Sequence, residues 1–148
     1  YSILGITGRY VLIQTDQSDL RMLWLDSGES TYLDARHAFR MKDTEEPSGW
    51  IVWSPWEVFS IDNNGTQTLI TRTNKALFDV KWSSTHKSLI FVFEGGSIIG
   101  FHPQYRTSQE LFDYQNAWVN SISIDETSTF IIFESSLNDK RGIYKREL

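Results

Sequence analysis

The feature that most constrains this chain is a repeat of about 40 residues. Ser84-Thr-His-Lys-Ser-Leu-Ile-Phe-Val-Phe-Glu94 laid over Ile124-Asp-Glu-Thr-Ser-Thr-Phe-Ile-Ile-Phe-Glu134 superposes the apolar positions, the Phe-Glu ending and the polar turn that precedes them. Ile6 to Thr15 fits the same template about two periods earlier, with Gly8 where Lys87 stands. A second register mark is an apolar strand closed by Asp or a polar equivalent. It occurs as Met22-Leu-Trp-Leu-Asp26, Val58-Phe-Ser-Ile-Asp62, Ile98-Ile-Gly-Phe-His102 and Ile143-Tyr-Lys-Arg-Glu147, spaced by 36, 40 and 45 residues. Recurrence at this period is the mark of stacked four-stranded units with loops of varying length.

The repeat divides the chain into units of approximately 1–36, 37–76, 77–117 and 118–148. Strands are expected at 2–6, 10–14, 22–25 and 31–33; at 38–41, 50–53, 58–61 and 68–71; at 78–82, 89–93, 98–101 and 109–112; and at 119–124, 130–133 and 143–145. The second strands, such as Leu89-Ile-Phe-Val-Phe93 and Phe130-Ile-Ile-Phe133, are apolar on both faces, as strands buried between neighbouring sheets should be. Turn residues fall between strands at Asp26-Ser-Gly28, Asn63-Asn-Gly65, Glu94-Gly-Gly96 and Asn138-Asp-Lys140. Lys42 to Gly49, acidic and holding Pro47, reads as an exposed loop. The fold class is all-β: a β-propeller of about four degenerate four-stranded blades, expected to be part of a larger ring. A sandwich or barrel also has short, evenly spaced strands, but has no reason to repeat in register. The fourth unit stops after its third strand, so the chain is expected to be an open arc that needs further blades or a partner subunit to close.

Composition narrows the function classes. There are 14 Lys and Arg against 19 Asp and Glu, a net charge of −5, so no basic surplus exists to neutralise phosphates and nucleic acid is not an expected partner. Cysteine is absent, which removes disulfides, thiolate catalysis and Cys-based zinc sites. No apolar run reaches the roughly 18 residues of a membrane-spanning helix, and no basic-then-apolar leader opens the chain.

Asp125-Glu-Thr-Ser-Thr-Phe-Ile-Ile-Phe-Glu-Ser-Ser-Leu-Asn-Asp-Lys-Arg-Gly-Ile-Tyr-Lys-Arg-Glu-Leu148 and Glu57-Val-Phe-Ser-Ile-Asp-Asn-Asn-Gly-Thr-Gln-Thr-Leu-Ile-Thr71 resemble the TolB-type propeller repeat. That repeat has a Ser-Pro-Asp-Gly turn, an apolar strand, a second polar turn and an aromatic strand ending in Asp. The chain departs from it at the first turn, present only as Ile6-Thr-Gly8, Ser84-Thr-His-Lys87 and Ile124-Asp-Glu-Thr127. Similar blades form the propeller of cell-envelope complexes, the N-terminal propellers of prolyl oligopeptidase relatives and many stand-alone binding proteins. The resemblance therefore implies a propeller, favours a periplasmic or extracellular location and does not select a function.

Chemistry-bearing motifs are few. Gly95-Gly-Ser-Ile-Ile-Gly100 is not a nucleophile elbow, because Ile99 stands where the second glycine is required. His37, His86 and His102 lack metal-ligand spacing and read as isolated surface residues. Asp16-Gln-Ser-Asp19 lacks the glycine and distal Glu of a calcium loop, and Asn64-Gly-Thr66 reads as a hairpin before a glycosylation site. No catalytic residue, metal or cofactor is expected. Among six tryptophans, Trp24, Trp50, Trp53 and Trp82 read as packing aromatics, whereas Trp56 and Trp118 sit beside turns.

In such a blade the connection between the second and third strands and the one leading into the next blade lie at the same end. The candidate contacts at that end are Arg36, Trp56, Arg72, Lys75, Tyr114 and Trp118, cations and aromatics of the kind that dominate binding hot spots. The expected function is non-catalytic binding or scaffolding of a protein or peptide through this loop face. One alternative is the gating propeller of a prolyl-oligopeptidase-like serine peptidase whose catalytic domain lies outside the chain. The other is a carbohydrate-binding propeller that uses Trp56 and Trp118.

Overall fold

The structure, a computed structural model, describes residues 1–113, 118–124, 130–137 and 139–148. The chain divides into two compact units, Tyr1–Asn74 and Lys75–Leu148. The first holds two antiparallel sheets, β1 (Ser2–Ile6) to β4 (Ser30–Leu33) with β2 (Tyr10–Gln14) and β3 (Leu20–Trp24), and β5 (His37–Arg40) to β8 (Gln67–Arg72) with β6 (Trp50–Trp53) and β7 (Glu57–Ile61). The second holds β9 (Leu77–Ser83), β10 (Ser88–Phe93), β11 (Ile98–His102) and β12 (Thr107–Phe112), and a three-stranded sheet of β13 (Trp118–Ile124), β14 (Phe130–Leu137) and β15 (Lys140–Glu147). In every sheet the strands pair in chain order, so each is a meander.

Each unit has a core of strand residues taken at alternate positions. In the first, Tyr10 and Leu12 of β2, Leu20 and Met22 of β3, and Trp50 and Val52 of β6 form one buried cluster with Ile61. The Tyr10 hydroxyl donates to the carbonyl of Asp62 at 2.9 Å. Burial, reinforced by the Asp62 carboxylate and opposed by Arg40, pushes this phenol up to about 12. In the second unit Ile90, Val92, Ile98 and Leu111 join Val119, Ile122, Ile131 and Phe133. Burying each such side chain stabilises by about 1.5–3 kcal/mol, which is what holds these sheets together.

The expected strands are all present, with three differences. Lys42 to Gly49 is not simply an exposed loop: Met41, Glu45 and Gly49 are buried, Glu45 to 5%, and the Glu46–Pro47 peptide bond is cis. Its acidic composition misled because one carboxylate turns inward. The connection expected over Ser135 to Arg141 is mostly strand, since Ser136 pairs with Arg141 and Leu137 with Lys140; Asn138 lies outside the described residues. Finally, β6 is buried throughout and β10 from Leu89 to Phe93, but β14 is not buried on both faces: Ile131, Phe133 and Ser135 face the core while Ile132 is 41% exposed.

Candidate functional site

A meander places the turn between its second and third strands at the same end as the segment leaving its fourth. In the first unit this end carries three of the candidate residues. The N–H of Arg36 donates to the carbonyl of Trp53 at 3.1 Å, and its carbonyl accepts from Gln14 Nε2 at 2.9 Å. The segment after β4 is thereby pinned beside the β6–β7 turn, with the Arg36 side chain in solvent.

That turn is Ser54-Pro55-Trp56. Ser54 Oγ accepts from the N–H groups of Trp56 (3.3 Å) and Glu57 (3.2 Å), and its own N–H donates to the Glu57 carbonyl at 3.0 Å. The N–H of Thr73 donates to the carbonyl of Trp56 at 2.9 Å, which ties the segment after β8 to the same turn. Trp56 is thus presented 53% exposed on a backbone fixed from both sides. Arg72 lies opposite Glu57 in the β7–β8 register, and its guanidinium pairs with that carboxylate. The structure therefore brings Trp56 and Arg72 together, but the Arg72 charge is already partnered. An exposed pair of this kind contributes about 0–1 kcal/mol and chiefly orients the guanidinium.

In the second unit Lys75 is exposed, and the following Ala76 carbonyl accepts from the N–H of Glu94 in the β10–β11 turn at 2.8 Å. Trp118, Ser136 and Arg141 form one cross-strand row of the three-stranded sheet. Arg141 stands over the Trp118 ring, 5.7 Å from its centroid, and pairs with Glu134, which also accepts from Asn120 Nδ2 at 2.9 Å. Trp118 is 41% exposed with one ring face beneath a cation. Tyr114 lies outside the described residues.

The bond from Arg141, and then that from Asn120, hold the Glu134 carboxyl below its ordinary range. A depressed carboxylate favours the folded state above the ordinary carboxyl range, and this contribution disappears as pH falls through the folded value. Carbonyl-carbon NMR titration is expected to show Glu134 protonating at lower pH than an ordinary glutamate, and Arg141→Ala is expected to return it toward that range.

Trp50 and Trp53 are buried, and Trp24 bonds its indole N–H to Thr31 Oγ1, so these act in packing. Ser97 is buried in the β10–β11 hairpin rather than presented on an elbow. Among the described residues no three His, Asp or Glu side chains gather where they could hold a metal ion, and no helix is long and apolar enough to cross a membrane. The histidines depart from the sequence reading. His37 stacks on Trp53 at 5.2 Å, and His86 and His102 are half-buried and border one cavity. Their separation of 16 residues matches no ligand motif, so only the folded chain, in which both border one cavity, brings them together.

No family model and no curated protein matches the chain. Solved structures do. The extracellular domain of BT4673 from B. thetaiotaomicron matches 94% of this chain at 15% identity with a TM-score of 0.60. The tricorn protease matches 91% at 14% with a TM-score of 0.51, and the N-terminal domain of Nup159 matches 95% at 15% with a TM-score of 0.55. The chain spans 21%, 15% and 42% of those chains respectively. At these identities the likeness is one of fold: an all-β chain of antiparallel sheets like those of propeller-containing proteins.

Proposed function

We propose that this chain is a non-catalytic binding propeller that recognises a protein or peptide through the turn end of its first unit, which carries Arg36, Trp56 and Arg72; Lys75 and Trp118 are candidate contacts of the second unit taken by itself. The observation that carries this reading is Trp56, a large aromatic held half in solvent by a turn whose backbone is bonded on both sides. A rigid exposed indole loses little conformational entropy on binding and supplies a large contact area, and tryptophan and arginine are the residues most enriched at hot spots. The resemblance of Glu57–Thr71 to TolB-type blades agrees with this role, as does the likeness to Nup159, a protein seen in complex with dbp5 in S. cerevisiae.

The test is a photo-crosslinking amino acid placed at position 56 and, separately, at Leu25, an exposed apolar residue at the opposite end of the first sheet. Adducts with a discrete polypeptide are expected from position 56 only. Trp56→Ala is expected to weaken binding of that polypeptide at least tenfold, about 1.4 kcal/mol, while Leu25→Ala leaves it unchanged. Equal crosslinking from both positions, or unchanged affinity in Trp56→Ala, would remove this end as the binding face.

A further inference from the structure

The three-stranded sheet of the second unit leaves β15 at its edge, where each of the other sheets has a fourth strand. Every second residue of an edge strand turns its N–H and C=O away from the strand beside it. Among the described residues no strand pairs with that side of β15, so a row of backbone donors and acceptors stands open along Lys140–Glu147. A cleft of about 420 Å³ opens on the same strand, bounded by β12 on its other side, with Leu111, Phe112, Phe133 and Tyr144 as its apolar lining.

The side chains of β15 say what kind of strand fits. Phe133 is buried and lies opposite Tyr144, so Lys140, Gly142, Tyr144 and Arg146 share one face and Arg141, Ile143, Lys145 and Glu147 the other. Of the 14 Lys and Arg in a chain of net charge −5, four fall on this strand, against the single acid Glu147. Arg141 is taken by Glu134, but among the described residues no carboxylate pairs with Lys140, Lys145 or Arg146. These three cations flank the edge on both faces. A flat polyanion such as a membrane surface meets one face and has no use for a row of backbone groups, whereas an extended polypeptide reaches both faces and pairs with the backbone. Two copies of β15 paired edge to edge would set cations against cations, which is destabilising.

We propose that the open edge of β15 takes up an extended acidic segment of a partner polypeptide as a fourth strand of this sheet. The backbone ladder gives affinity, and carboxylates set against Lys140, Lys145 and Arg146 give selectivity. Apolar residues of the incoming strand cover Tyr144 and Ile143, the latter 79% exposed at the middle of the edge. Glu110 and Asp113 stand on the β12 bank of the cleft, so carboxylates are favoured only where the strand register holds them against β15. This edge belongs to the second unit and uses none of the residues of the turn end that carries Trp56.

The test uses the whole chain and the end-blocked peptide Thr-Glu-Glu-Val-Val-Val-Thr-Glu. Run antiparallel to β15, it sets Glu against Arg146, Lys145 and Lys140 and Val against Tyr144, Ile143 and Gly142. Saturable binding is expected, with backbone amide shifts centred on β15 and slowed hydrogen exchange at every second amide of that strand. The counterpart with Lys for Glu is expected not to bind. Two further peptides carry N-methyl groups at all odd or all even positions; only one of the two is expected to lose binding, because only one edge of the peptide faces β15. The double substitution Lys145→Glu with Arg146→Glu is expected to weaken binding at least tenfold while leaving the fold intact, since both side chains are exposed. The proposal is overturned if the Glu peptide does not bind, if the Lys peptide binds equally, or if both N-methylated forms bind like the parent, which would mean charge attraction without strand pairing. It is also overturned if the free chain is a dimer by light scattering with the β15 amides already protected, which would give the edge to a second copy.

Discussion

Phe133→Ala is expected to lower the stability of the chain by about 3–5 kcal/mol, read as a lower urea midpoint at unchanged slope. Phe133 is 2% exposed and meets the Phe112 ring edge-on at 4.8 Å and the Tyr144 ring at 6.0 Å. It lies opposite Ile122 on one side and Tyr144 on the other, at the centre of the three-stranded sheet. Truncation removes both ring contacts and leaves a cavity that paired strands close poorly, since neither backbone can move in without breaking its ladder. The neighbouring Ile132 points the other way and is 41% exposed, so Ile132→Ala is expected to cost under about 1 kcal/mol. Equal effects from the two substitutions would mean that the face assignment of β14 is wrong.

Gly49→Ala is expected to cost at least about 3 kcal/mol, for two reasons that add. The residue has φ +87°, which glycine tolerates and alanine does not, and an added Cβ would lie 2.1 Å from the carbonyl oxygen of Ile61. That oxygen belongs to the backbone of β7, so it cannot rotate away as a side chain could. The Gly49 carbonyl also accepts the N–H of Met41 at 2.8 Å, closing the loop that buries Met41 and Glu45, so a shift to relieve the clash would open that loop. Gly95→Ala is the control. Its φ is +92° but nothing lies near the added carbon, so only the conformational penalty of about 1–2 kcal/mol applies. Comparing the two unfolding midpoints separates the clash from the backbone strain.

Strands were legible in the sequence because their signals are local. Alternation in β3, the apolar run of β10 and the Asn-Asn-Gly and Glu-Gly-Gly turns each act within a few residues, and the 40-residue offset ties them into one architecture. The candidate turn end was legible to the same degree, since Trp56 and Arg36 sit on connections that any meander must place together. What the residue pattern left out was which side chains meet. The pairing of Arg72 with Glu57 depends on the β7–β8 register, and the placing of Arg141 over Trp118 on two successive registers across β14.

The sequence by itself determined that the chain is all-β, where its strands begin and end to within a few residues, and that the connections carrying Arg36, Trp56 and Arg72 lie at one end of the sheets of the first unit, because hydrophobic period and turn chemistry are properties of neighbouring residues. Only the tertiary structure decided that Glu45 turns inward, that β14 leaves one face exposed, and that His86 and His102 border one cavity. Each of these depends on which strands pair in which register and on which face a neighbouring sheet covers, and such contacts join residues far apart in the chain.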